Sequence, residues 1–250
     1  MKKQIISIII IALLPLVANA DAVEIDGIYY NLLKKLKTAE VTSKPSGYYN
    51  GDVTIPETVT YNDITYNVTS IGDYAFQNCT GLVKISIPNS VTSLGGQAFY
   101  GCSGLTSVTI PDSVISIGAY VFTICNSLES LTIGNSVKSI PNTAFGGCTK
   151  LKSVTIPNSV TSIGERAFIG CSNLTNVTIG NSVTEIGKYA FSDCNSLYCM
   201  TIGQGVKSIS EDIFGDLGKT HSPAKVIWLA STPPSGIRVL GKMNFVISNL

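Results

Sequence analysis

The sequence predicts a β-rich solenoid of about seven 23-residue coils with short helical turns, closed by an N-terminal and a C-terminal cap. Three observations carry that prediction. A 23-residue unit is written six times from Leu82 to Lys219 without insertion or deletion, starting at Leu82, Leu105, Leu128, Leu151, Leu174 and Leu197. Repetition at such a period marks one turn of a solenoid, which buries its apolar face only when neighbours stack on it. Positions 1, 4, 6, 10, 13, 17, 18 and 21 of the unit are apolar or cysteine in nearly every copy, as in LTSVTIPDSVISIGAYVFTICNS and LKSVTIPNSVTSIGERAFIGCSN. Positions 4 and 6 alternate with polar 3 and 5, the two-residue period of a strand with one face buried.

Residues 1–20 read as a secretory signal peptide, with Lys2 and Lys3, an apolar run from Ile5 to Ala18, and Ala18-Asn19-Ala20 before Asp21. The run is short of the ~20 residues a spanning helix needs, and none follows it, so no integral membrane segment is expected after cleavage. The remaining chain holds 15 basic against 16 acidic residues, with no block of like charge. Nucleic acid is a poor partner for such a surface, because phosphate binding needs a concentrated basic face.

Residues 21–58 hold no repeat and read as the N-terminal cap. Asn31 to Lys37 looks like a charged helical piece, and Tyr48-Tyr49-Asn50-Gly51-Asp52 is a turn leading into a short strand at Val53-Thr54-Ile55. Capping is needed because the end of a solenoid is an unpaired strand edge. The repeat array spans 59–219, with a degenerate coil at Val59 to Gly81 before the regular repeats of 82–219.

Each coil then has the same expected parts. A strand covers positions 3 to 6 and stops at the Pro or Gly of position 7, followed by Asn or Asp in five copies of six. A second extended piece covers positions 10 to 13. Position 14 is glycine at Gly72, Gly95, Gly118, Gly164 and Gly187, read as a backbone angle that other residues resist. Ala-Phe at 17 and 18 with cysteine at 21 fits one helical turn facing inward, and one phenylalanine per coil predicts a stacked spine. The last copy decays, with Ser210, Ile213 and Leu217 in place of Gly, Ala and Cys. Residues 220–250 read as a C-terminal cap and tail, with a closing strand at Val226 to Ala230 and a stop at Thr232-Pro233-Pro234-Ser235-Gly236.

Six of the seven cysteines, Cys79, Cys102, Cys125, Cys148, Cys171 and Cys194, recur at the period. Such a column reads as small buried thiols rather than bridges, since stacked side chains point in parallel and suit a disulfide dihedral poorly. No C-x-x-C pair supports a metal site, and no cofactor is expected. Cys199 breaks a serine column and is the thiol expected to be reachable.

The unit C-x-x-L-x-x-V-T-I-P-x-S-V-T-S-I-G-x-x-A-F-x-x-C resembles the BspA-type (Treponema pallidum-type) leucine-rich repeat of secreted and surface proteins. The resemblance covers Val59 to Lys219, and the Gly27-Ile28-Tyr29 opening and Ser231-Thr232-Pro233-Pro234 ending are also similar to that family's caps. It implies a right-handed leucine-rich-repeat solenoid, the hand expected of parallel crossovers. It also implies a role in surface binding or adhesion, and it brings no catalytic residues.

A secreted or cell-surface binding protein is therefore expected, with an extracellular protein or glycan as partner. The candidate face is built from the outward strand columns: Lys84, Ser107, Ser130, Ser153 and Asn176 at position 3, Ser86, Thr109, Thr132, Thr155, Thr178 and Thr201 at position 5, with Tyr198 beside them. Threonine is also a good exposed strand residue in its own right, so the column alone does not decide. Positions 2, 15, 16 and 19 vary most, and include Glu129, Lys152, Tyr100, Tyr120, Glu165, Arg166, Ile169 and Tyr189. The alternative is a structural protein whose hydroxyl columns order a water lattice such as ice. An enzyme is the weakest reading: His221 is the single histidine, no acids recur as a pair, and Gly95-Gly96 follows the structural period rather than a phosphate loop.

Overall fold

The computed structural model describes residues 22–209, 212–215, 225–229 and 244–247. The signal-peptide assignment, His221 and most of the C-terminal cap lie outside them. Every regular element among the described residues is a strand.

The N-terminal segment is a meander. β1 (Val23–Ile25) pairs antiparallel with β2 (Ile28–Leu33) through a two-residue turn at Asp26 and Gly27, both with positive φ. β2 pairs antiparallel with β3 (Thr38–Thr42). The piece read as helical from Asn31 to Lys37 is therefore the end of β2 and a turn. Its residues follow a period of two, with Ile28, Tyr30 and Leu32 buried and Tyr29 and Asn31 turned outward, which favours a strand. After β4 (Gly51–Thr54) comes a second hairpin, β5 (Thr58–Tyr61) with β6 (Ile64–Ile71), whose Asn62-Asp63 turn has φ of 49° and 59°, as a primed hairpin turn requires. The degenerate first coil is thus a hairpin followed by a standard turn.

Long and short strands then alternate. They are β7 (Leu82–Ser86), β8 (Ser93–Leu94), β9 (Ser107–Thr109), β10 (Ser116–Ile117), β11 (Ser130–Thr132) and β12 (Ser139–Ile140). The series continues with β13 (Ser153–Ile156), β14 (Ser162–Ile163), β15 (Asn176–Ile179), β16 (Glu185–Ile186), β17 (Cys199–Ile202) and β18 (Ser208–Ile209). β19 (Lys225–Trp228) and β20 (Asn244–Ile247) add two parallel strands after β17. Long strands pair only with long, and short with short, in register at the 23-residue offset: Thr155 faces Thr178 and Ile163 faces Ile186. Each coil thereby has one long-strand side and one short-strand side.

The third side is the segment expected to be helical, and it is a ladder of turns. Continuous αR geometry is broken at position 16 by Tyr74, Gln97, Tyr120, Thr143, Arg166 and Tyr189, all with φ between 54° and 60°. It is broken again at position 20, by Asn78, Gly101, Ile124, Gly147, Gly170 and Asp193. The alternation turns every second amide toward the next coil. Phe99 N–H donates to Val121 O (2.8 Å), Phe122 to Ala144 O (2.8 Å) and Phe145 to Ala167 O (2.8 Å). Backbone groups that a helix would satisfy within the coil are satisfied between coils instead.

The core is one continuous column stack. Leu82, Leu105, Leu128, Leu151 and Leu174 are fully buried beside Phe76, Phe99, Phe122, Phe145, Phe168 and Phe191. The phenyl rings stack at centroid distances of 4.8 to 5.6 Å, tilted by no more than 12°. Tyr49 closes the spine at the N-terminal end, 4.6 Å from Phe76, with its hydroxyl donating to Thr42 O and accepting from Tyr29 N–H. Six column cysteines are buried and unbridged. Five of them donate S–H to the phenylalanine carbonyl of the coil before: Cys102 to Phe76 O (3.1 Å), Cys125 to Phe99 O, Cys148 to Phe122 O, Cys171 to Phe145 O and Cys194 to Phe168 O.

Position 14 calls for a correction of cause. Gly95, Gly118, Gly164 and Gly187 do not have positive φ. A Cβ on Gly118 would fall 2.3 Å from Gly96 N, and one on Gly95 2.4 Å from Asp73 N, so the column is glycine because consecutive coils touch there. Pro141 is the exception among the described residues, and it leaves a mark. Gly118 N–H donates to Leu94 O and Gly164 N–H to Ile140 O, whereas proline has no such proton for Ile117 O. The short-strand ladder breaks between β10 and β12, and the long-strand ladder between β11 and β13. Across the same junction the Phe122–Phe145 distance is 5.6 Å, the widest along the spine from Phe76 to Phe191.

Candidate functional site

The long strands β7, β9, β11, β13, β15 and β17 present one outward face, because residues 3 and 5 of each unit alternate with buried residues 4 and 6. Lys84, Ser86, Ser107, Thr109, Ser130, Thr132, Ser153, Thr155, Asn176 and Thr178 are all exposed on it. Thr201 and Cys199 are half-buried, and Tyr198 is 63% exposed. The register aligns them in columns: Ser107 with Ser130, Thr109 with Thr132, Ser153 with Asn176, and Thr155 with Thr178 and Thr201. The Pro141 junction divides this face into a β4–β7–β9–β11 sheet and a β13–β15–β17–β19–β20 sheet.

Hydrogen bonding separates the threonine columns. At position 2, Thr106 and Thr175 hydroxyls donate to Val83 O and Lys152 O of the preceding coil. At position 11, Thr92, Thr161 and Thr184 do the same to Thr69 O, Lys138 O and Thr161 O. These threonines fasten coil to coil. At position 5, Ser86, Thr109, Thr132, Thr155 and Thr178 point outward and take no protein partner.

One concavity of about 990 Å³ lies on this face, over β7, β9 and β11. Lys84, Ser86, Ser107, Thr109 and Thr132 of the expected face line it. It also takes in Ile87, read from the sequence as an inward strand residue, and residues that sequence reasoning assigned only to turns: Asn89, Pro111, Asp112 and Asn135. Position 8 forms a ladder of its own, in which Asp112 Oδ1 accepts Asn135 N–H (2.7 Å), Asn158 Oδ1 accepts Asn181 N–H and Asn181 Oδ1 accepts Gln204 N–H. The uniform Asn or Asp after position 7 is the signal for it. A side-chain acceptor there replaces a main-chain one between coils.

The variable positions 15, 16 and 19 lie on the turn side, and position 2 borders the long strands. Tyr120 is 43% exposed, and the Arg166 guanidinium sits over the Tyr189 ring at 5.1 Å. Glu129 and Lys152 approach to 3.8 Å, both largely exposed. Tyr120, Arg166 and Tyr189 belong to the turn segment, whereas Glu129 and Lys152 directly precede the long strands β11 and β13, in the same column as Tyr198. Burial raises the pKa of the Cys102, Cys125 and Cys148 thiols, that of Cys148 to about 12, which leaves them protonated and unreactive at neutral pH.

A parallel solenoid whose coils carry one buried leucine, one stacked phenylalanine and two strand ladders is a leucine-rich-repeat protein. The family model described as the BspA type leucine rich repeat region matches residues 56–140 and 116–222, in six copies. The chain belongs to that family. Among solved structures it is similar to a leucine-rich repeat protein from Eubacterium ventriosum, with 29% identity and a TM-score of 0.68, covering 81% of this chain and 51% of that one. It is also similar to one from Bacteroides ovatus (25% identity, TM-score 0.42, covering 89% of this chain and 75% of that one). A third is the T. pallidum leucine-rich repeat protein TpLRR (20% identity, TM-score 0.47, covering 83% and 85%). No curated protein sequence matches the chain. No helix among the described residues is long and apolar enough to cross a membrane.

Proposed function

We propose that this chain is a secreted or cell-surface binding protein that recognises a macromolecular partner through the long-strand face. The observation that carries the reading is the contrast between hydroxyl columns. Threonines at positions 2 and 11 are used up on inter-coil carbonyls, while those at position 5 keep both donor and acceptor free on a rigid, in-register surface. A partner meeting such a surface finds hydrogen-bonding groups whose positions are already fixed, which lowers the ordering cost of binding. The amino-terminal signal pattern supports export, and membership of the family supports a repeat-based binding role.

The test is binding of the mature protein to an oligosaccharide array and to a panel of purified extracellular proteins, repeated with Thr132→Lys, Thr155→Lys and Thr178→Lys combined. Loss of the bound partner is expected, and binding that ignores all three changes would move the site off this face. The same unpartnered hydroxyls, aligned from Thr155 to Thr201, suit an ordered water lattice as a second reading. Thermal hysteresis decides it, since a solution that freezes like its buffer removes the idea.

A further inference from the structure

We propose that the concavity over β7, β9 and β11 is a binding site for an uncharged oligosaccharide, and that it is the part of the long-strand face that selects the ligand. This rests on the proposed binding role and narrows it to one ligand chemistry and three coils. Its volume of about 990 Å³ is at the upper end of small-ligand sites, room for several sugar rings rather than one.

The groups available are those a polyhydroxylated ligand uses. Ser86, Ser107, Thr109 and Thr132 offer free hydroxyls that both donate and accept, and the Asn89 amide is also without a protein partner. Asp112 spends Oδ1 on Asn135, through both its backbone N–H and its Nδ2, and keeps Oδ2 as an acceptor. Ile87, half-buried, adds apolar surface for the C–H face of a sugar. Charge argues for a neutral ligand. Along positions 3, 5 and 8 of all six copies the only ionisable groups with a formal charge at neutral pH are Lys84 and Asp112, and both line this concavity. One cation and one anion leave no net field to attract a sulfated or sialylated chain.

Backbone chemistry argues against an extended peptide. Peptides that bind sheets add to an open edge and use main-chain hydrogen bonds. β7 and β9 lie inside their sheet, between β4 and β11, and the edge of β11 abuts β13, so none of the three strands offers an open edge to the concavity. Only side chains face the ligand.

The experiment is an array of neutral, sialylated and sulfated oligosaccharides probed with the mature protein, followed by calorimetry on the best neutral binder. Thr109→Lys places a charged chain in the concavity, and Thr178→Lys makes the same change on the same column two coils beyond the Pro141 junction. Thr109→Val, nearly equal in volume, removes the hydroxyl without crowding, and melting curves check that all three fold. The expected result is binding to neutral oligosaccharides that falls by about tenfold or more in Thr109→Lys, an amount equal to about 1.4 kcal/mol, falls measurably in Thr109→Val, and stays within about twofold in Thr178→Lys. Preference for charged glycans, equal loss in Thr109→Lys and Thr178→Lys, or no retained glycan each overturns the assignment. If no glycan binds but a purified protein does, and both lysine variants weaken it, this inference falls while the binding face stands. A bound protein indifferent to both variants overturns the face as well.

Discussion

At the residue scale, the period fixes more than packing. The cysteine column reads from the sequence as small buried hydrophobes, and the thiols are buried; what the spacing does not show is that each S–H serves a carbonyl of the preceding coil, because that acceptor is 26 residues away on a turn whose geometry was not foreseen. The glycines of position 14 were equally visible, but for a different reason: the contact that excludes a Cβ lies in the neighbouring coil. The thiols carry a pH prediction. Burial raises the pKa of Cys102, Cys125 and Cys148 above the unfolded value, and a hydrogen bond with Cys194 together with burial raises that of Cys171, so the folded state holds these protons longer than the unfolded one. Stability is then full below the unfolded thiol pKa and falls as pH rises above it, by about 1.4 kcal/mol per thiol per pH unit. Urea unfolding between pH 8 and 11 should show this decline, and Cys148→Ala should reduce its slope by one proton; an unchanged slope would mean the thiols are not the source.

At the element scale, strands were legible and the turn was not. Positions 3 to 6 and 10 to 13 announce themselves by alternation and by the Pro or Gly that follows. The inward helical turn did not form because the residues at positions 16 and 20 take left-handed angles, even where they are Tyr74, Tyr120, Ile124 or Arg166, which have no intrinsic preference for them. Stacking imposes the geometry, and single-residue propensity does not reveal it. In the cap, the charges of Lys34, Lys35 and Lys37 concealed the two-residue period of β2. The phenylalanine of each coil was legible and gives a direct test. Phe145 is fully buried between Phe122 and Phe168, so Phe145→Ala removes a ring from the middle of the stack and should cost about 3 to 5 kcal/mol. Phe214, in the last described coil and 6% exposed, should lose less on the same change. Denaturant midpoints that fall equally for both would contradict a stack in which each coil leans on two neighbours.

At the scale of the whole molecule, the candidate face was legible as columns, but the concavity on it was not. Its lining is drawn from three coils, Lys84 and Asn89 from one, Asp112 from the next and Asn135 from the third, and no single copy of the unit records that. The interruption at Pro141 was in the sequence as a departure from the glycine column, though only the ladder shows its effect on both strand sides. Stability in a repeat array is a sum of coil and interface contributions, so the weakest interface divides the array. Native-state hydrogen exchange in rising denaturant should therefore release the Lys138 amide, bonded to Ile115 O across this junction, before its equivalents Thr161 and Thr184. Equal protection at all three would mean that the junction is as strong as the rest.

A protein fastened to a surface at one end and to a partner at the other is under tension, and tension seeks the weakest interface. Here that interface lies at Pro141, on the far side of the concavity from the amino-terminal cap. The array then yields there first, and each coil drawn out adds roughly 76 to 83 Å of chain, at 3.3 to 3.6 Å per residue. The coils under the concavity then stay folded as one block while those beyond the junction lengthen under load.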